Sequence, residues 1–450
     1  MNPLIFREYD IRGVAERDMP DERVRDLGRA LGTYQQRKGN RQLALGRDCR
    51  LSSPRLHAAL RAGLLETGVH LIDIGVVPTP LMYFAVFHHD LDGGVQITGS
   101  HNPPDDNGFK MMQGKASLFG EDIATLRTMI EQRDLDLPGG GTVEILDFFP
   151  AYTGYVKGNV RMARTDLRFA IDAGSGSGGP TAVAAMRAAG LSPVELLCEL
   201  DGRFPVHHPD FSQLENLELL RSRVLEDGLE LGIAYDGDAD RIGVIDGRGD
   251  VMWGDKLMIV FARALLADRP GAAILGEVKC SQTMYDDIAR HGGRPILWKT
   301  GHSLIKAKMK EEKAMLAGEM SGHMFFADRY YGYDDAVYAS LRLLEILAAS
   351  DRPLHELVAD VPKTHATPEL RVECPDEEKF QVVDRVRERF RATHRVVDVD
   401  GARILFEGGW GLVRASNTQP VLVLRFEADT LKRLAQIRGE VESAVSEARA

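Results

Sequence analysis

Residues 42–64, QLALGRDCRLSSPRLHAALRAGL, decide the fold class. A short apolar run gives way to a polar loop, and helix-start serines then open a helical pattern. Two more stretches follow the same plan: LRFAIDAGSGSGGPTAVAAMRAAG near 167–190 and AAILGEVKCSQTMYDDIARHG near 272–292. Strands alternating with helices predict α/β units around mostly parallel sheets. Three such units predict three similar mixed α/β domains, although their identity is too low to establish a repeat. The chain changes character from about 367. There it reads strand (ELRVE), helix (DEEKFQVVDRVRERFRA), strands (HRVVDVD, ARILFE, LVRAS, VLVLRFEA) and a terminal helix beginning DTLKRLAQI. That order predicts a C-terminal α+β domain with an antiparallel sheet. The glycine-rich PGGG at 138–141 is a linker candidate. The expected division is 1–146, 147–250, 251–362 and 363–450.

The chain has 450 residues, 44% hydrophobic and 27% charged, which suits a soluble globular protein of two to four domains. A net charge of −11 argues against a duplex nucleic-acid binder but not against an anionic small molecule, because the local field decides that. The apolar candidate MIVFARALLA is broken by Arg263, so no membrane span is expected. The N-terminal MNPLIFREYDIRG lacks an apolar signal core, and Cys49, Cys198, Cys280 and Cys374 fit neither a zinc pattern nor a disulfide framework. A cytoplasmic address follows as the expectation.

Four segments carry chemistry. In VQITGSHNPPDDNGFKMM, 95–112, a strand feeds a Gly-, Asn- and Pro-rich loop, and a second strand carries Lys110. Ser100 is presented at the strand end beside His101 and within reach of Lys110; a turn-rich surface loop is the plain alternative. A serine-hydrolase reading is poor because the G-x-S-x-G elbow is missing and adjacent Ser and His side chains are not expected to face each other productively. In LGIAYDGDADRIGVID, 231–246, Asp236, Asp238 and Asp240 alternate in a tight loop before Arg241. Three such carboxylates suit one hard cation and repel one another without it. An EF-hand fails because its glycine and glutamate positions hold Arg241 and Gly247. In LAGEMSGHMFF, 316–326, Glu319, Ser321 and His323 would point the same way from an extended backbone, suiting sugar hydroxyls and proton transfer. In GLVRASNTQPVLVLRFEA, 411–428, Arg414, Ser416, Asn417 and Thr418 crowd a turn that could nest a phosphate, or simply be a polar hairpin. Gly174, Gly176 and Gly179 spell a dinucleotide fingerprint, yet a structural turn is the better reading of that glycine-rich stretch.

TGSHNPP, DGDADR, GEMSGH and RASNT, in that order over essentially the whole chain, resemble the α-D-phosphohexomutase superfamily. GEMSGH and the opening YDIRG resemble its bacterial phosphomannomutase/phosphoglucomutase branch. The resemblance implies four domains, each lending one motif to a central cleft. Ser100 would carry the phosphoryl group, in domain 1. Asp236, Asp238 and Asp240 of domain 2 would bind Mg²⁺ together with a phosphoserine oxygen. Glu319 and Ser321 of domain 3 would read sugar hydroxyls, and Arg414, Ser416, Asn417 and Thr418 of domain 4 would clamp the unreactive phosphate. Tyr9, Arg12, His101, Lys110, Arg241, Lys279, His302 and His323 are implied as further cleft residues.

The activity implied is interconversion of hexose 1-phosphates and 6-phosphates, of mannose, glucose or both. It would run through a phosphoserine enzyme and a glucose or mannose 1,6-bisphosphate that also serves as activator. Arg12, Lys110 and Lys279 would balance charge on the transferred group, with His323 or Lys110 as the base. Phosphosugars are the expected partners and a monomer the expected state. Rival readings are a glucosamine-type phosphate mutase, a metal-dependent sugar phosphatase, or a phosphosugar-binding protein without turnover.

Overall fold

The computed structural model describes residues 2–417 and 419–449. Each of the three strand–loop–helix stretches forms as expected: Gln42–Arg47 with Ser53–Glu66, Phe169–Asp172 with Gly178–Ala188, and Ala273–Glu277 with Gln282–Arg290. The first sheet runs in the order Ile11–Val14, Asp106–Gln113, Gly93–Ile97, Gln42–Arg47, His70–Val76, Thr142–Ile145, with Ala116–Ser117 beside Asp106–Gln113. Its centre is parallel, and Gly93–Ile97 pairs antiparallel with Asp106–Gln113, which sets Gln96 opposite Lys110. Pro138–Gly141, expected as a linker, does not leave this unit. Gly139 N donates to Glu66 O at 2.8 Å, and the chain then adds Thr142–Ile145 to the sheet alongside His70–Val76.

The second sheet runs Val251–Met252, Ile242–Asp246, Leu231–Tyr235, Phe169–Asp172, Val194–Leu196, and the third Arg294–Trp298, Ala273–Glu277, Leu316–Gly318, Met324–Phe326. Both mix parallel and antiparallel pairs. The fourth sheet is antiparallel, in the order His365–Ala366, Val421–Ala428, Gly409–Ala415, Ala402–Phe406, Arg395–Val397, with Leu370–Glu373 also on Val421–Ala428. Helices Lys379–Arg391 and Leu431–Arg449 cover it.

One continuous apolar core joins the first three units, from Ala44 and Ile72 through Ile171 and Ile233 to Ile274 and Phe326. The helix Thr79–His88 is buried at every position from Thr79 to Val86, so it packs as an internal strut rather than a surface helix. Each fully buried large apolar side chain there contributes about 1.5–3 kcal/mol. The last unit has its own core around Val386, Leu424 and Val441 and meets the third through the small cluster Val278, Trp410 and Leu412. Arg403 reinforces that junction by donating to Val278 O at 2.7 Å and Cys280 O at 2.9 Å while stacking on Trp410. Among the described residues no helix is long and apolar enough to cross a membrane.

Candidate active site

Strand Gly93–Ile97 runs out into Thr98, Gly99 and Ser100, and Ser100 holds the left-handed conformation at φ 49°. That conformation costs a non-glycine residue on the order of 1 kcal/mol or more. The cost is met by local bonds. Ser100 N donates to Thr98 Oγ1 at 2.9 Å and Gly99 N to Asp48 Oδ2 at 3.0 Å. The buried Arg50 guanidinium then donates to Ser100 O at 2.7 Å, Asn102 O at 2.6 Å, Asp106 O at 3.0 Å and also Pro103 O. A side chain at Gly99 would collide with that guanidinium, so the glycine is what admits it.

The turn also overturns one expectation. Ser100 Oγ lies 3.1 Å from His101 Nδ1, so the adjacent side chains do meet, because the left-handed backbone rotates Ser100 toward its neighbour. Ser100 Oγ donates to Asp236 Oδ2 at 2.8 Å, and burial holds His101 well below the usual histidine pKa. Arg12 lies at the edge of the loop, donating to Asn102 Oδ1 at 2.8 Å and Asp10 Oδ2 at 2.7 Å.

Asp236, Asp238 and Asp240 sit in the buried loop between strands Leu231–Tyr235 and Ile242–Asp246, with oxygens from all three within 4.8 Å of one another. Glycines let three loops converge here. A Cβ on Gly237 would stand 2.4 Å from Ser100 O, and one on Gly176 would stand 2.7 Å from Gly237 O. The Gly174–Gly179 stretch is therefore a turn packed under the aspartate loop, where Ser177 N donates to Gly237 O at 2.9 Å. Lys110 is taken by this loop and not by Ser100: its Nζ donates to Asp238 Oδ2 at 2.7 Å and to Asp240 Oδ2. Burial works against that ammonium, but Asp238, Asp240 and Asp236 outweigh it and hold its pKa above the ordinary value. Burial, then Asp240 and Asp238, push Asp236 well above the usual carboxylate range. Asp238 Oδ1 and Asp240 Oδ1 are buried with no hydrogen-bond partner. Like-charge stress and orphaned oxygens are the signature of a hard divalent cation's donor set, and the triad fits one. A second group, Asp240, His323 and Asp334, also comes together. Lys306 lies 3.1 Å from its Asp334, and Lys110 pairs with Asp240, the aspartate that the two groups share.

Glu319, Ser321 and His323 are brought together by a turn and not by the extended run expected. Strands Leu316–Gly318 and Met324–Phe326 form a hairpin; Gly322 N donates to Glu319 O at 3.0 Å with Gly322 at φ 97°. A chain reversal still places Glu319 and His323 on one side, with Ser321 Oγ donating to Glu319 Oε2 at 3.4 Å. Gly301 N holds Glu319 Oε1 at 2.7 Å, and His302 stacks on His323 with ring centroids 5.7 Å apart. Arg241 Nε donates to His323 Nε2 at 2.9 Å, so Nε2 is the accepting nitrogen of the ring, and Nδ1 lies 3.0 Å from Asp334 Oδ2 without hydrogen-bond geometry.

Arg414 is buried at the end of strand Gly409–Ala415, its Nε donating to Asp400 Oδ2 at 3.0 Å. Asn417 Nδ2 donates to Tyr9 Oη at 2.6 Å, and Tyr9 Oη donates to Thr300 O at 2.9 Å, so one tyrosine ties the first, third and fourth units together. Lys379 Nζ donates to Ser416 O at 2.6 Å, and Lys279 Nζ pairs with Glu369 Oε2 at 3.1 Å. Thr418 lies outside the described residues. Sequence reasoning did not single out Arg50, Asp334, Asp400 or Thr79, whose hydroxyl donates to Asp238 Oδ2. Arg50 was visible as a charge beside the first loop (GRDCR) and Asp334 as a paired aspartate in YGYDD, but the carbonyls that Arg50 serves lie 50 or more residues away and the imidazole beside Asp334 lies on another loop.

The chain matches four family descriptions: phosphoglucomutase/phosphomannomutase alpha/beta/alpha domain I at 3–136, domain II at 150–249, domain III at 253–365, and the C-terminal domain at 369–444. It is 43% identical over 435 residues to a phosphomannomutase/phosphoglucomutase of Pseudomonas aeruginosa, covering 96% of this chain and 94% of that one. It is 42% identical over 445 residues to a phosphoglucomutase of Neisseria gonorrhoeae, covering 98% and 96%. A crystal structure of a phosphoglucomutase/phosphomannomutase family protein from Burkholderia thailandensis superposes with a TM-score of 0.93 at 40% identity, over 99% of this chain and 98% of that one.

Proposed function

The chain belongs to the phosphoglucomutase/phosphomannomutase family, and from that premise we propose that it interconverts hexose 1-phosphates and 6-phosphates, of glucose, mannose or both. The carrying observation is the Ser100 hydroxyl, 2.8 Å from Asp236 in a buried three-carboxylate loop. A hydroxyl placed there suits a phosphoryl carrier, since phosphoryl transfer needs positioning and charge neutralisation more than covalent activation. Asp236, Asp238 and Asp240 would hold Mg²⁺, which when bound supplies Lewis-acid stabilisation of the departing serine oxygen.

The remaining roles fall to the chain's own groups. Lys110 and Arg12 face the Ser100 and aspartate loops and would balance charge developing on the transferred group. His323 would take the proton of the attacking sugar hydroxyl on Nε2, the nitrogen whose lone pair now accepts from Arg241; substrate must displace that guanidinium. Glu319 and Ser321 would read the sugar's hydroxyls. Arg414, Ser416, Asn417 and Thr418 would clamp the phosphate that does not react, with Lys279, His302 and Tyr9 at the same mouth. Two transfers, from Ser100 to the sugar phosphate and back from the reoriented 1,6-bisphosphate, then complete the isomerisation.

The test is a coupled assay offering mannose 1-phosphate and glucose 1-phosphate separately, with Mg²⁺ and a trace of glucose 1,6-bisphosphate. Formation of the 6-phosphate from both sugars, lost on chelation and severely reduced in Ser100→Ala, is the expected result. Release of inorganic phosphate in its place would make water the acceptor and the protein a phosphatase. Reaction with amino-sugar phosphates alone would overturn the substrate assignment.

A further inference from the structure

We infer that Glu277 is a positioning residue, holding in register the three loops that carry Lys279, His302 and the Glu319–Ser321 pair; this deepens the mutase reading and rests on it for its kinetic consequence. Glu277 ends the central strand Ala273–Glu277 of the third sheet, at the carboxyl end of parallel strands, where ligand sites of such sheets gather. Its side chain is fully buried, so it does not itself line the open cleft. What it does is accept from three directions. Oε2 accepts from Lys279 N at 3.1 Å and from Thr300 Oγ1 at 2.6 Å, and Oε1 accepts from Met320 N at 3.3 Å.

Each donor is next to a residue of the site. Lys279 is one, Thr300 stands two residues before His302, and Met320 lies between Glu319 and Ser321. The contact extends further through Thr300, whose N donates to Asp400 Oδ2 at 3.1 Å, the same oxygen that holds Arg414. One buried carboxylate thus stands three hydrogen bonds from Arg414 of the phosphate clamp and one from the sugar-reading turn. The Lys279 ammonium, 3.9 Å away, provides the nearest compensating charge.

The chemistry requires a carboxylate and not an amide. An ionised carboxylate is acceptor-only and can serve donors on both oxygens. Glutamine would serve one side only. In either amide orientation, a backbone N–H of Met320 or of Lys279 would face an N–H in place of an oxygen. Aspartate keeps the acceptors but reaches less far.

Glu277→Gln, Glu277→Asp and Thr300→Val are compared with the parent full-length protein by amide hydrogen exchange, thermal unfolding and steady-state kinetics with glucose 1-phosphate and mannose 1-phosphate. In Glu277→Gln, exchange is expected to rise by about tenfold in segments 278–281, 299–303 and 319–323 and to stay unchanged in the first two units. KM should rise about ten- to a hundredfold and kcat should fall by less, because apart from Lys279 the displaced groups bind the sugar phosphate and do not act on the transferred group. Glu277→Asp should recover part of the loss, and Thr300→Val should loosen 299–303 alone, which keeps the inference testable if the glutamine variant fails to fold. Unchanged exchange in those segments overturns it, as does a loss of protection spread evenly over the chain. If the parent turns over no hexose phosphate, the mutase reading has failed, and the exchange pattern alone decides the role of Glu277.

Discussion

Gly237→Ala tests whether the serine loop and the aspartate loop must touch. Gly237 is outside the left-handed region, so alanine meets no backbone strain there and the effect is purely one of space. The added Cβ would stand 2.4 Å from Ser100 O and 3.2 Å from Ser100 C, both backbone atoms that no side-chain rotation can move aside. The loops must separate by about 0.6 Å before the contact reaches even 3.0 Å. That retreat would stretch the 2.8 Å Ser100–Asp236 bond past the roughly 3.0 Å limit of an O–H···O hydrogen bond. A misplacement approaching 1 Å costs about a hundredfold in rate, so kcat should fall about ten- to a hundredfold, or roughly 1.4–2.7 kcal/mol of barrier. Overpacking should also remove about 1–3 kcal/mol of stability. The assay is initial-rate turnover of glucose 1-phosphate at saturating Mg²⁺, with Gly154→Ala as control. Gly154 lies in the helix Phe149–Asn159 with open space where its Cβ would go, so that change should leave the rate untouched. A Gly237→Ala enzyme retaining more than about half the parent kcat would refute the premise that turnover needs this close approach.

Arg50→Lys keeps the buried charge but replaces a planar fork that serves four carbonyls with a single ammonium. Phosphorylation of Ser100 by glucose 1,6-bisphosphate should slow at least about tenfold, read by intact-protein mass spectrometry, and an unchanged rate would mean the loop holds its shape without the fork. Asp335 accepts from Tyr152, Tyr330 and the Tyr338 amide, and burial pushes its folded pKa up to about 6. The unfolded chain ionises there near about pH 4, so the fold holds an extra proton between those values. Its contribution is complete below about pH 4 and declines by about 3 kcal/mol as pH rises to about 6. Asp335→Asn should flatten that part of the thermal-unfolding profile between about pH 4 and 7, and a parallel profile would show that Asp335 does not titrate in that window.

The α/β character of three units and the α+β character of the fourth were legible because hydrophobic period and helix-start residues are local properties. The motifs were legible for the same reason: Ser100, the three aspartates and Arg414 each sit in a segment whose composition suits its chemistry alone. Even the glycines of 174–179, correctly read as structural, spelled out a turn. What the turn is for, a floor beneath Gly237, required the second loop to be in place.

The failures share a cause. Local alternation suggested an extended 319–323, but a hairpin is decided by which strands pair, and Leu316–Gly318 pairs with Met324–Phe326. Pro138–Gly141 has a linker's composition, yet the edge of the first sheet was free to take the strand that follows it. The facing of Ser100 and His101 depends on a positive φ at a serine, held by an arginine fifty residues earlier. The sequence by itself determined the kinds of unit, their order and the chemical groups available. Tertiary structure alone decided which charges oppose which, because burial removes the water that would otherwise screen them and leaves Lys110 to Asp238 and Asp240, Arg50 to the serine loop, and Glu277 to three loops at once.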